Sequence, residues 1–252
     1  LLLTEYPKHA EEIVQKLISN QPQKIIAIGG DGTINEIGNA LKGTDIPMGI
    51  IPLGSGNGLA RHLHIPMQVE KAINIALNGQ ADYIDVLAWN QRAFFCTAGI
   101  GFDAQVAALF HAGKGRGLIN YIKATFQALA TYSQTEISIN QTEVQNLFSF
   151  TVANANQFGN NAFISPLSNL QDALFEIVKI RKGNLWQKAQ LGISLFSKSI
   201  HHHPLVEIQQ KKSIQIHCQA GIYYHLDGES LKSQTNLIKI EIMPERLLVI
   251  HP

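Results

Sequence analysis

Residues 24–41 read KIIAIGGDGTINEIGNAL, and this stretch admits few folds. Ile25, Ile26 and Ile28 form a short β-branched run of the kind buried in a parallel strand. From Thr33 onward Ile34, Ile37 and Leu41 recur at helical spacing, so the order is strand, glycine turn, helix. A helix entered through such a turn leaves its first backbone N–H groups without partners, and those donors favour an anion. A tight connection alone accounts for Gly29 and Gly30. It does not account for Asp31, Thr33, Asn35 and Glu36 crowding one lip. A second turn of the same kind follows in IPLGSGNGLARHL, residues 51–63, where Gly54, Ser55 and Gly56 bring N–H groups and a hydroxyl to a strand end. Two such lips after consecutive parallel strands face one crevice. Neither is a G-x-x-x-x-G-K-[ST] loop, which argues against a P-loop ATPase.

The rest of the chain divides into two styles. Through about residue 78 strands alternate with helices: LLL at the start, a helix over 7–19, strand 24–28, helix 33–42, the strand MGIIPL, and an amphipathic helix ending at Gly79. This alternation predicts a doubly wound α/β domain over residues 1–82. From residue 83 the pattern changes to alternating strands, YIDVLAW, RAFFCTAGIG, TEISIN, NLFSFTVANAN, LFEIVKI, KSIQIHC, GIYYHLD and LIKIEI, with helices near 117–131 and 185–199. Residues 83–252 are therefore expected to form an antiparallel, β-sandwich-like domain.

Composition narrows the function. A formal net charge of +1 over 252 residues argues against nucleic acid as the main partner. No apolar run approaches the roughly 20 residues that span a bilayer, and Cys96 and Cys218 are far apart, which suits a reducing cytosol. The chain opens on Leu1, and a preceding segment is expected to be absent here.

Other motifs carry weaker signals. GIGFDA, residues 99–104, imitates a dinucleotide fingerprint, but no acidic residue follows between Asp103 and Glu136. Lys114 and Arg116 in HAGKGRG are cations able to reach phosphates, or simply a solvated basic loop. His201, His202 and His203 suit a polar helix terminus better than a metal, because adjacent residues point apart. In YYHLDGES, Asp227–Gly228 is a strong hairpin signal; the pair Asp227 and Glu229 is alternatively a general base and a metal ligand.

Taken together, GGDGTINE, PLGSGNGLAR, AGIGFDA and the late DGE resemble the diacylglycerol kinase catalytic family, which includes bacterial lipid kinases and sphingosine kinases, over essentially the whole chain. The resemblance implies an ATP-dependent lipid kinase acting on the hydroxyl of a lipid alcohol, most of all diacylglycerol. It implies that Gly29, Gly30, Asp31, Gly32, Thr33, Ile34, Asn35, Glu36, Gly54, Ser55 and Gly56, with Thr4 and Lys114, contact the nucleotide. Asp31 would lie near Mg²⁺ and the transferred phosphoryl group, and Glu229, with Asp227 beside it, would take the hydroxyl proton. LSNLQDALFEI resembles a structural Mg²⁺ loop, with Asp172 and the main-chain oxygens of Asn169 and Leu174 as ligands; Gln171 and Ala173 depart from its pattern. Gln105, Val106 and Ala107 stand where sphingosine kinases carry an acid, which disfavours a sphingoid base. The family's first strand and phosphate loop are missing before Leu1. A cytoplasmic enzyme docking peripherally on membranes follows, with a homodimer left open. The alternatives are an NAD kinase-like enzyme and a catalytically silent nucleotide- or lipid-binding module.

Overall fold

The computed structural model describes residues 1–113, 118–132, 135–139 and 143–252. The first third of the chain folds as α1 (His9–Ile18), β1 (Ile25–Gly29), α2 (Asp31–Leu41), β2 (Met48–Pro52), α3 (Gly58–His62), α4 (Val69–Asn78) and β3 (Gln80–Ile84). The remainder runs β4 (Leu87–Trp89), β5 (Arg92–Phe94), β6 (Thr97–Gly101), α5 (Phe102–Ala112), α6 (Leu118–Thr131), β7 (Thr135–Ile139), β8 (Glu143–Ala153), β9 (Phe175–Arg181), α7 (Leu185–Phe196), β10 (Val206–Lys211), β11 (Ser213–Cys218), β12 (Tyr223–Leu226), β13 (Glu229–Lys232), β14 (Leu237–Ile242) and β15 (Leu247–His251).

A four-stranded sheet with the order β1-β2-β15-β3 forms the α/β half. β1, β2 and β15 are parallel and β3 is antiparallel to β15. β2 is buried along its whole length, which is why MGIIP is apolar without alternation. The last strand thus returns into the first sheet, and the boundary expected after residue 82 falls inside β3. Residues 247–251 belong to the α/β half, although their sequence is only five residues long and offers no local sign of which sheet they join. Leu1, Leu2 and Leu3, expected as a strand, are exposed and unpaired.

The second half is an eleven-stranded antiparallel sheet. β8 organises it. Residues 143–147 pair with β7, and after an irregularity between Leu147 and Ser149 the strand runs between β6 and β9. That shift lets one long strand serve two packed layers. One face buries Trp89, Phe94, Phe150 and Phe175, with Tyr224 stacked on Trp89 at 5.3 Å. The other face buries Phe148, Val178 and Ile180 against Leu191 and Leu195 of α7 and Leu129 of α6.

Two expected strands are broken, and each break has a cause. YIDVLAW leaves the first sheet at residues 85–86 and enters the second, with the Asp85 N–H given to Leu170 O at 2.6 Å. RAFFCTAGIG is interrupted at Phe95 and Cys96, whose N–H groups leave the ladder for a side-chain carboxylate. β10, β13 and β15 are absent from the sequence reading, and so is α5, whose FDAQVAALF is apolar on too many sides to show a clear period.

β15 is inserted between β2 and β3, and Leu247 is fully buried. Leu247→Ala is expected to lower unfolding free energy by about 2–5 kcal/mol. Removal of residues 247–252 is expected to abolish the cooperative melt of the α/β half, read by circular dichroism; an unchanged melting curve in the truncated chain would refute this placement.

Candidate active site

The two glycine lips touch. A Cβ on Gly54 would lie 2.5 Å from the Cα of Gly30, so only glycine at both positions permits the approach. Leu53 N donates to Gly29 O at 2.8 Å. Asp31, the first residue of α2, then fastens one lip to the other: its Oδ2 accepts from Asn57 N at 2.9 Å and its Oδ1 from Gly58 N at 2.8 Å. Asn57, with φ +52°, closes its own turn by accepting from Gly54 N and donating to Gly54 O. Asp31 is therefore the cap of α3. Burial raises its pKa, the two N–H groups of Gly58 and Asn57 pull it back, and the charge of Asp227 pushes it up again.

α2 has no such cap at its own start. Gly30 offers no side chain, and the first helical bond runs from Ile34 N to Gly30 O at 3.0 Å. The N–H groups of Gly32 and Thr33 lie in the first turn and have no intrahelical acceptor. Gly32 is exposed, with open space where a Cβ would stand. An eleven-residue helix thus presents free donors and the positive end of its dipole at the crevice.

The other half supplies the roof. Asp227 and Gly228 form a two-residue turn between β12 and β13, with φ +48° and +85°, and Leu226 pairs with Glu229 across it. The hairpin reading is right, yet the Asp227 side chain also turns into the junction. Its Oδ1 accepts from Cys96 N at 2.8 Å and Thr97 N at 3.1 Å, and its Oδ2 accepts from Phe95 N at 3.0 Å and Asn35 Nδ2 at 2.7 Å. All four lone-pair positions of the carboxylate are filled. Desolvation raises its pKa and the four donors oppose the rise. Asn35 is itself held by Asn39, whose Oδ1 accepts from Lys42 Nζ at 3.2 Å. A polar chain along α2 ends on the hairpin.

Residues 154–163 press on the second lip. Asn160 N donates to Gly56 O, and Arg61 spans from Gly56 O to Asn161 Oδ1. His62 Nδ1 accepts from Asn156 N at 2.9 Å, and burial lowers the ring's pKa to about 4. Behind the hairpin, buried Asp103 accepts from Thr151 Oγ1 at 2.8 Å and lies 3.1 Å from His225 Nε2. GIGFDA is therefore an internal polar contact.

The sequence-derived residues separate accordingly. Gly29, Gly30, Asp31, Gly32, Thr33, Asn35, Gly54, Ser55, Gly56 and Asp227 converge. Ile34 is in the core and its N–H is already used. Glu36 caps α1, accepting from Lys8 N at 2.8 Å and Ala10 N at 3.1 Å, so it is turned from the crevice. Thr4 is exposed ahead of α1 and makes no hydrogen bond to either lip. Lys114, with Arg116, lies outside the described residues. Glu229 is exposed, and its carboxylate has no hydrogen bond or ion pair among the described residues. His201 and His202 sit in a single 3₁₀ turn.

At the expected Mg²⁺ loop Asn169 Oδ1 accepts from Gln171 N and Asp172 Oδ1 from Leu174 N; these bonds do not use Asp172 Oδ2 or the main-chain oxygens of Asn169 and Leu174. The buried carboxylate there, Asp85, takes the Ala173 N–H at 2.8 Å and faces the Arg246 guanidinium at 3.4 Å. Among the described residues, no three His, Cys, Asp or Glu side chains gather to hold an ion.

Sequence reasoning missed Asn57, His62, Cys96, Asn156 and His225. One usable signal was NANQ, residues 154–157: polar residues directly after a buried apolar strand, the same signature as the glycine lips.

Comparison with known proteins agrees with this fold. Residues 1–89 match the diacylglycerol kinase catalytic domain, and residues 96–251 match the YegS C-terminal NAD kinase beta sandwich-like domain. A diacylglycerol kinase of Staphylococcus saprophyticus is 30% identical over 217 residues, covering 81% of this chain and 70% of its own. One from Staphylococcus epidermidis is 28% identical over 242 residues, covering 90% and 74%. The crystal structure of a putative diacylglycerol kinase from Bacillus anthracis superposes with a TM-score of 0.76 at 19% identity, over 99% of this chain and 83% of that one.

The His62–Asn156 contact yields a pH test. The folded pKa of about 4 lies below the unfolded 6.5, so the unfolded chain takes the proton first as pH falls. Burial of the neutral ring therefore adds no penalty above pH 6.5 and destabilises the fold progressively toward pH 4, by at most about 3 kcal/mol. Denaturation at a series of pH values should show His62→Gln with a flatter acid limb than the parent; parallel curves would remove His62 from the account.

Proposed function

This chain belongs to the diacylglycerol kinase catalytic family, and we propose that it transfers the γ-phosphoryl group of ATP to the hydroxyl of diacylglycerol. The observation that carries the reading is the open N-terminus of α2, set against the Gly54–Gly56 lip and roofed by a carboxylate from the other half. Free N–H groups of Gly32 and Thr33 bind and orient a phosphate, which is most of what phosphoryl transfer asks of a protein. Names of the relatives support the acceptor.

Magnesium enters this reading as the counter-ion of ATP. The oxygens of Asp31 and Asp227 are already committed to N–H donors, so the ion is not assigned protein ligands and no step runs through it. The lipid hydroxyl attacks the γ-phosphorus, ADP leaves, and the hydroxyl proton passes to a carboxylate. We assign that role to Glu229, the carboxylate of the DGE turn with no competing donor, while Asp227 positions the hairpin.

Transfer of labelled γ-phosphate to diacylglycerol in mixed micelles, with NAD as the competing acceptor, tests the substrate. Efficient labelling of NAD and none of the lipid would overturn it. Glu229→Gln is expected to lower turnover about 10²–10⁴-fold with an unchanged melting temperature. Asp227→Asn is expected to cost about 2–5 kcal/mol of stability, because an amide cannot accept all four bonds. The reverse pattern would make Asp227 the base.

A further inference from the structure

α7 is built inside out. Its inner side places Leu191 and Leu195 on the sheet, whereas Leu185, Trp186, Ile193 and Phe196 point outward at 81, 72, 70 and 62% exposure. Trp186 and Ile193 are seven residues apart, as are Ala189 and Phe196, so they lie along one helical stripe. Single exposed apolar residues are ordinary; a stripe more apolar than the buried side marks an interaction surface. The helix is also fixed in place, since Asn184 and Gln187 form a reciprocal cap at its start.

Charge indicates the partner. No acidic residue occurs between Glu176 and Glu207, while Lys179, Arg181, Lys182, Lys188 and Lys198 all fall there. Lys179 and Arg181 share the single carboxylate of Glu207. Lys198 lies over the ring of Phe163 at 4.5 Å with no acidic partner among the described residues, whereas Lys188 reaches inward over the buried ring of Phe148 at 4.7 Å and is not part of the outer face. Lys182 adds a second exposed cation just before the helix, so one cation stands at each end of it. An apolar stripe with an outward tryptophan and cations at both ends is complementary to an anionic bilayer surface. A second copy of the chain is a worse match, because a two-fold contact sets this single-sign face against itself.

We propose that the outer face of α7 is the surface on which the protein docks to anionic membranes; this rests on the lipid-kinase reading above. The face is coupled to the crevice. Phe163 N donates to Leu195 O at 2.8 Å, Phe158 packs in the same cluster as Leu191, and Asn160 N holds Gly56 O of the second lip. Docking through α7 therefore places the phosphate-facing lip at a fixed distance from the lipid surface.

The chain carries its own reporter. Of its two tryptophans Trp89 is 2% exposed and stacked on Tyr224, so Trp186 is the one whose surroundings can change. Vesicles of phosphatidylcholine and phosphatidylglycerol, added to the full chain without ATP, are expected to shift its emission to the blue; phosphatidylcholine alone should do so far less. In flotation, Trp186→Glu with Phe196→Glu should weaken partitioning at least about tenfold. Lys182→Glu with Lys198→Glu should remove the preference for phosphatidylglycerol. With short-chain diacylglycerol kept monomeric, the Trp186/Phe196 variant should match the parent, and with vesicle-embedded diacylglycerol it should fall in step with binding. An unshifted emission, or unaltered flotation of that variant, overturns the proposal. Self-association in the parent that the variant abolishes, without vesicle binding, overturns it in favour of a second copy. Binding that follows these substitutions in a protein showing no phosphoryl transfer keeps the docking face and refutes the kinase reading instead.

Discussion

A single carboxylate holds the two halves of this protein in register. Asp227 accepts from three consecutive backbone N–H groups of one strand segment and from Asn35 on α2. Withdrawing a charged group from water costs several kcal/mol unless donors replace the lost solvent, and here four do. The chain gives up strand pairing at Phe95 and Cys96 to provide them. In return the hairpin cannot slide along its neighbour β6 without stranding a charge, so the roof of the crevice has one position.

The same device operates twice more at smaller scale. Asp31 binds the first lip to the second, and Glu36 binds α2 to α1, each by accepting backbone N–H groups at a helix start. Three acidic residues that look like ligands are thus occupied in fastening helices. What they leave open is the start of α2, where Gly30 and Gly32 supply neither a cap nor a covering side chain. α1 and α3 are capped by carboxylates from neighbouring elements, and α2, which faces the crevice, is not. The charge of Asp227 adds to burial in raising the proton affinity of Asp31, so a cation is favoured beside these two carboxylates over a bare anion.

The architecture was legible where periodicity and glycine chemistry agree: the strand–turn–helix units at residues 24–41 and 48–62, and the alternation of the β-rich half. Element ends failed where a long-range partner overrides local preference. Nothing near Phe95 announces that its N–H is needed by a residue more than a hundred positions away. Nor does LLVIH state which sheet it joins. For the site, residue type identified Asp31, Asn35 and Asp227 but not what each oxygen does, because the donors are backbone groups that carry no sequence signature. Glu36 shows the cost: its place in the motif suggested a nucleotide contact, and its geometry is a helix cap. At residues 169–174, likewise, the sequence does not tell that Asn169 and Asp172 each accept an N–H of their own turn.

The chain leaves the first sheet at residues 85–86 and comes back at 243–246, and these crossings are strapped together by Met243 N on Val86 O and by Arg246 on Asp85. The β-rich half is topologically an insertion between two neighbouring strands, β3 and β15. During synthesis the α/β half is therefore left with a gap in its sheet, at the flank of β2, until residues 247–251 have cleared the ribosome. The inserted half can complete its own pairings first, and so the order of assembly runs opposite to the order of translation.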